Sequence, residues 1–496
     1  MLHKWILYSG SRPRRMFMIA LALTVVLSNT IDMPARAQTG EDQGIREEEV
    51  SFQGKDVTLH GTVLVPEGDG KHPAIALVAG AGLGERDANR KLAEEFANAG
   101  IVTLIYDKRT KDYSAAPTGP RSFSLLADDA VAAVRKLQTL SYVDPASVGL
   151  WGVSEGGWVV PLAATKSDDV AFIITLAGTG VSPSAQVGWS VGEALDYHGV
   201  TARSIHRALV ERASSFIVSA ELMAEPAYDP VPVLEKVKQP VLAVWGAKDT
   251  IEPASESATI MQAAFERGGN QSYTLRFIQN GDHDCFATQD GFTRTTGDFA
   301  PGCVTIMTAW VTAVTSGQIP QPAVDPIPTQ AHRAPDTVRP KGYDLWYVQV
   351  GNMVLFTVAF MGYGVVAMWR WAKKKFLHRS AAKTAPSPVR WFARSLAIAG
   401  TATWVYFNYY LFSTYIALND SDRHVLGDAV IAGRTGTWLT LQIVSLVIVV
   451  LGILLVVGWW QKRNQIQKAE QVRLGVVLAG VVVFIPWAVY WQLLTP

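Results

Sequence analysis

Net charge is all but missing from this chain: 44 Lys and Arg stand against 43 Asp and Glu, leaving +1 over 496 residues. Outside the connections between its apolar runs the chain shows no basic patch of the kind that binds nucleic acid, and no nucleic-acid partner is expected. Metal-ligand spacing is missing too. There is no His-x-x-x-His helix, and Asp282, His283 and Asp284 are consecutive, an arrangement that rarely faces one ion. Neither a metal nor another cofactor is expected. Cysteine is scarce, with only Cys285 and Cys303. Four runs lack charge altogether: 345–369, 395–418, 437–460 and 474–496. Each exceeds the roughly 20 residues that cross a bilayer as a helix. A transporter or proton relay keeps ionisable groups inside its spans. These runs hold none, so they read as an all-α, four-helix transmembrane anchor and platform.

A length of 496 residues is too great for one domain, and 16 Trp with 49 % hydrophobic residues is rich for a soluble enzyme. Arg12, Arg14 and Arg15 precede an apolar core, Met16 to Leu27, and Pro34-Ala35-Arg36-Ala37 offers an Ala-x-Ala site. Residues 1–37 therefore read as a signal peptide cleaved after Ala37; an uncleaved anchor is the other reading. Residues 318–344 are proline-rich and read as a semi-rigid linker to the membrane region, 345–496. The connection from Arg370 to Arg394 carries eight Lys or Arg and no acid, and Gln461 to Arg473 carries four with Glu470. Asn419 to Gly436 carries two basic and three acidic residues. The positive-inside rule puts the first and third connections in the cytoplasm. The segment before the linker then lies outside the cytoplasm, where the export signal independently sends it. In that oxidising setting the cysteine pair suggests a disulfide bracing the loop past His283; two buried thiols is the alternative.

Within 48–317, strands and helices alternate. Ala74 to Val78, Ile101 to Tyr106 and Phe172 to Ala177 are near-continuous apolar runs, as expected of parallel strands covered on both faces. The fold class is α/β, a doubly wound, mostly parallel sheet. One stretch organises it: Gly152-Val153-Ser154-Glu155-Gly156, a strand before it and a helix after. A strand turning that sharply needs small flanking residues, and the serine between them is lifted out above the sheet. Such a serine needs a base and an orienting acid. Pro240 to Gly246 is a strand that ends at Asp249, and Ser272 to Ile278 is one that ends at His283. Each lies just past a strand, on the same sheet edge as Ser154. Glu252, three residues on from Asp249, is the alternative acid.

The segments Gly-Val-Ser-Glu-Gly-Gly, Trp-Gly-Ala-Lys-Asp and Gly-Asp-His-Asp resemble the α/β-hydrolase superfamily. The branch they look like is the bacterial esterase and dienelactone-hydrolase-like group, neighbours of the prolyl oligopeptidases. Ala76 to Gly82 resembles the loop after the third strand, and Ile105 to Arg109 the Asp-Lys-Arg segment after the fourth. Ala79 replaces a frequent His, and Thr110 a usual Gly. The resemblance covers 48–317 and nothing beyond. It implies an oxyanion hole from the backbone N–H groups of Ala81 and Glu155.

Residues 179–239 interrupt the alternation and are expected to form a helical cap over the catalytic edge. Trp189, Tyr197, His198 and His206 are candidate pocket liners, or else pack the cap's own core. The expected function is a membrane-tethered serine hydrolase acting on a small ester or thioester. A peptidase or acyltransferase of the same fold is the alternative. From another class, the domain would be a non-catalytic envelope binding module.

Overall fold

The computed structural model describes residues 44–82, 84–109, 122–376, 385–419 and 428–496. The export signal expected over 1–37 lies outside them. By internal contacts the chain divides into two units: Met1–Ser190 with Ala224–Thr337, and Val191–Met223 with Val338–Pro496.

In the first unit an antiparallel hairpin, β1 (Arg46–Gln53) and β2 (Thr58–Val65), leads in. Then β3 (His72–Val78), α1 (Arg90–Asn98), β4 (Val102–Tyr106), α2 (Phe123–Gln138), β5 (Val143–Val153), α3 (Gly156–Lys166) and β6 (Ile173–Leu176) alternate as the apolar runs predict. The segment Val191–Met223 breaks the rhythm. It holds the end of α4 (Pro183–Tyr197), then α5 (Arg203–His206), one π turn at Arg207–Arg212, and α6 (Ala213–Ser219). Alternation resumes with a short α7 (Val231–Leu234), β7 (Val241–Gly246), α8 (Ala254–Gly268) and β8 (Tyr273–Ile278). A small ribbon, β9 (Phe286–Thr288) with β10 (Arg294–Phe299), precedes α9 (Cys303–Thr315) and a two-residue β11 (Ala323–Val324).

Among the described residues, nine strands form one sheet in the order β1-β2-β4-β3-β5-β6-β7-β8-β11. From β4 to β11 every pairing is parallel. Successive side chains of a strand point to opposite faces, and here both faces are dry. Ala74, Ala76 and Val78 of β3 join a core with α2, α3 and α8, while Ile75 and Leu77 join another with α1 and α9. Ile173 and Ile174 of β6 divide the same way. This two-sided burial is why the strands read as unbroken apolar runs. β11 falls inside the stretch expected to be linker. Its parallel pairing with β8 is extended by Asp325, which accepts from Arg276 at 2.5 Å and from the Phe277 N–H at 3.1 Å.

The second unit contains α10 (Trp346–Phe376), α11 (Ser387–Asn419), a two-strand turn of β12 (Val430–Ile431) and β13 (Arg434–Thr435), α12 (Gly436–Lys462) and α13 (Lys468–Tyr490). Among the described residues three helices are long and apolar enough to cross a membrane: Trp346–Lys373, Gly436–Gln465 and Lys468–Tyr490. The fourth charge-free run, 395–418, lies within the 33-residue α11 and is diluted by Thr401, Thr403, Asn408, Ser413 and Thr414. An aromatic cluster packs the bundle, Phe407 lying 4.8 Å and Phe356 5.0 Å from Trp487 between ring centres. The inserted segment packs here as well. The Ala202 N–H donates to the Gly433 carbonyl at 2.9 Å, Arg212 pairs with Asp344 at 3.3 Å, and Ser219 Oγ accepts from the Trp346 N–H at 2.9 Å.

Candidate active site

Parallel α/β sheets offer their ligand crevice at the carboxyl ends of the strands. At that edge β5 turns into α3 within a few residues, and the turn is sterically forced. A Cβ on Gly152 would sit 2.5 Å from the Gly156 carbonyl oxygen, and one on Gly156 would sit 2.7 Å from that of Val78. Ser154 between them has φ +54°, left-handed backbone for a residue with a side chain. Holding it there costs on the order of 1–3 kcal/mol. Its N–H donates to the Leu176 carbonyl at 3.0 Å, and its own carbonyl accepts from Gly157 at 2.7 Å.

The loops after β7 and β8 are locked to each other. Gly246 lies so close to the next loop that a Cβ would fall 2.1 Å from the Asp282 carbonyl oxygen, and the Lys248 N–H donates to the Gly281 carbonyl at 3.0 Å. This brings Asp249 and His283 together. His283 Nδ1 lies 3.0 Å and 3.1 Å from the two carboxylate oxygens of Asp249, close enough for its N–H to donate to either. The Asp249 side chain is fully buried, and its Oδ1 also accepts from the N–H groups of Ile251 and Glu252 at 2.8 and 2.9 Å. Burial alone disfavours a charged imidazole. The charge and hydrogen bond of Asp249, with Asp284 and Glu252 adding to them, outweigh it and push His283 up to about 9.

Glu252, the alternative acid, takes a different place. It is fully buried, its Oε2 accepts from the Thr179 hydroxyl, and among the described residues its Oε1 has no hydrogen-bond partner. Burial pushes its carboxyl well above the usual carboxylate range, against the pull of the nearby His283 charge. The two acids flanking the histidine brace its loop. Arg294 donates to Asp282 and to Asp284, both at 2.6 Å, and lies 4.1 Å over the Phe286 ring. Cys285 and Cys303 stand at disulfide distance, S–S 2.16 Å, tying this loop to the start of α9. Arg294 escaped sequence reasoning because nothing local marks an arginine on a surface ribbon as a partner for either acid.

The loop after β3 comes up beside the elbow: a Cβ on Gly80 would lie 3.4 Å from Ser154 Cβ. Ala81 follows directly. Lys108, from the loop after β4, fastens this loop. Its ammonium donates to the Gly80 carbonyl at 2.7 Å and to the Glu155 carboxylate, and its backbone N–H donates to the Gly84 carbonyl at 2.9 Å. The sequence points to Glu155 for its N–H and leaves its side chain a structural role, and that side chain is half of this buried pair.

Of the expected pocket liners, Trp189 is buried in the first unit with its ring 6.2 Å from that of His332. Tyr197, His198 and His206 belong to the second unit. There Tyr197 packs edge-on to His198 at 5.2 Å, and His206 Nε2 lies 2.6 Å from the Val200 carbonyl.

Residues 125–299 match the sequence profile of the prolyl oligopeptidase family. The chain is 31 % identical over 135 residues to esterase EstD of Thermotoga maritima, covering 25 % of this chain and 32 % of that protein. It is 29 % identical over 200 residues to an uncharacterized protein of Mycobacterium tuberculosis, covering 40 % of this chain and 59 % of the other. The chain thus spans about a third to three fifths of the length of these relatives. Among solved structures it aligns with a dienelactone hydrolase from Anabaena variabilis at 18 % identity and TM-score 0.35, over 56 % of this chain and 100 % of that one. The mostly parallel sheet and the family match over 125–299 support the α/β-hydrolase fold for this part of the chain.

Proposed function

We propose that the chain is a membrane-anchored serine hydrolase that cleaves carboxylic esters or thioesters outside the cytoplasm, through an acyl-enzyme. The observation that carries this is the Asp249–His283 pair, held on two strand-end loops at the sheet edge where the Ser154 elbow stands. In this reading His283 Nε2 takes the Ser154 proton as Oγ attacks the substrate carbonyl carbon. Asp249 keeps the other proton on Nδ1 and stabilises the imidazolium. The N–H groups of Ala81 and Glu155 hold the oxyanion; losing one such donor typically costs about 100- to 1000-fold in rate. His283 then protonates the departing alcohol or thiol. Water repeats the sequence with His283 as base, releasing the carboxylic acid and restoring Ser154.

All four charge-free helices span in this reading. The basic connections place the hydrolase domain on the periplasmic or extracellular side. The test is a fluorophosphonate probe applied to the full-length protein in membranes. Wild type should be labelled and turn over p-nitrophenyl esters, and Ser154→Ala should do neither. An unlabelled wild type would leave a binding module as the better account. The match to the prolyl oligopeptidase family favours a peptidase as second reading. A panel of esters, thioesters and peptides separates the two, and added alcohol acceptors would reveal acyl transfer.

A further inference from the structure

The second unit has an apolar groove that the hydrolase reading leaves unused. It lies along α10, α11 and the start of α12 as an open cleft of about 1020 Å³. On α11 its lining runs from Arg394 to Tyr406 and includes Arg394, Ala397, Thr401 and Val405, which recur every three or four residues along one helix face. From Arg394 to Tyr406 the groove follows α11 for about 18 Å at 1.5 Å per residue. That is close to one leaflet, half of a hydrocarbon core of ~30 Å.

One end of the groove is charged. Arg370 near the end of α10 and Arg473 near the start of α13 both donate to Glu470 Oε2 at 2.7 Å. Arg473 also lies 4.6 Å over the ring of Tyr363, a groove residue. Glu470 is therefore occupied twice. Arg394, an exposed groove residue at the same end, forms no ion pair among the described residues. Two guanidinium groups share one carboxylate, and a third, that of Arg394, lines the groove without an acidic partner among the described residues.

We propose that this groove binds one anionic phospholipid, its acyl chain along α11 and its phosphate on Arg394. The shape calls for a long apolar chain and the charge for an anionic head on the same molecule. A basic pocket between membrane helices is the arrangement that selects anionic lipids. The proposal rests on these helices lying in a bilayer and is independent of the hydrolase reading.

The experiment uses the full-length protein in detergent, titrated with phosphatidylglycerol or with phosphatidylcholine of the same acyl chains. Bound lipid is counted by native mass spectrometry. Phosphatidylglycerol should be retained at least fivefold over phosphatidylcholine. Arg394→Ala should abolish that preference, and Lys468→Ala, which removes an exposed charge from the same end, should leave it. Ile398→Trp should lower retention of both lipids by filling the groove. Glycerol phosphate should not compete, since the chain provides most of the contact. Equal retention of the two lipids, loss of preference in Lys468→Ala as large as in Arg394→Ala, or competition by glycerol phosphate each overturn the proposal. If Arg394→Ala is recovered poorly, Arg394→Gln takes its place with the same expected outcome.

Discussion

Lys108 and Glu155 form an ion pair from which water is nearly excluded, with 4 % and 6 % of each residue exposed. The same ammonium holds the Gly80 carbonyl, so one side chain joins the elbow to the neighbouring loop. Two N–H donors for an oxyanion act together only if that loop and the elbow keep a fixed spacing.

Lys108→Met should therefore fail in two separable ways. Leaving Glu155 buried and unpaired should cost on the order of 3–5 kcal/mol of stability. Turnover of p-nitrophenyl esters should fall about 100-fold with little change in KM. Adding Glu155→Met removes the stranded charge, so the double variant should recover much of the stability while its kcat stays low. Recovery of both in denaturant titration and kinetics would make the pair purely structural.

Ser154 lends itself to a contrast of two substitutions. Ser154→Ala and Ser154→Gly should both lose turnover by more than a thousandfold. Only glycine is at ease at φ +54°. The Gly variant should thus unfold at higher denaturant than the Ala variant, by about 1 kcal/mol.

In the proposed mechanism His283 sets the pH dependence. The base must be neutral, so kcat/KM should rise with pH through the raised pKa of about 9. Because the folded pKa lies above the ordinary 6.5, the pairing contributes stability that is fully present below about 6.5 and is lost as pH rises through about 9. Asp249→Asn should move the kinetic limb down and lower turnover by several orders of magnitude. Glu252 favours its protonated form and, among the described residues, forms no hydrogen bond to the imidazole, so Glu252→Gln should change turnover less than threefold. A larger loss in Glu252→Gln than in Asp249→Asn would reverse the assignment of the acid.

Membrane topology follows from charge. A reporter active only in the cytoplasm should work when fused within 461–473 and stay silent after Pro496. The opposite pattern would mean that one apolar run does not span. The most polar of them, 395–418, is the first suspect.

The elbow, Asp249 and His283 were legible because each marks the end of an apolar run, and parallel topology then sends all those ends to one edge. Lys108 with Glu155, and Arg294 with Asp282 and Asp284, were not. Their partners lie across loops, and no period or spacing encodes a pairing that only tertiary folding creates. The same limit applies to Tyr197 and His198. An amphipathic insert announces that it needs something to pack against, and its sequence does not say what. The two-residue strand Ala323–Val324 was hidden for a further reason, since edge pairing this short leaves no periodicity and the surrounding prolines dominate the reading.

The residues Val191–Met223 cluster with helices that begin some 120 positions later, and the first unit resumes at Ala224. The two units are therefore interleaved along the chain. A single protease cut between 338 and 344 leaves them covalently joined through Ser190–Val191 and Met223–Ala224. A chain stopped at Thr337 would keep the inserted helices but lose Asp344, Trp346 and Gly433, the residues that hold them. Isolating the first unit thus calls for replacing 191–223 with a short bridge as well as ending the chain, an excision at two places.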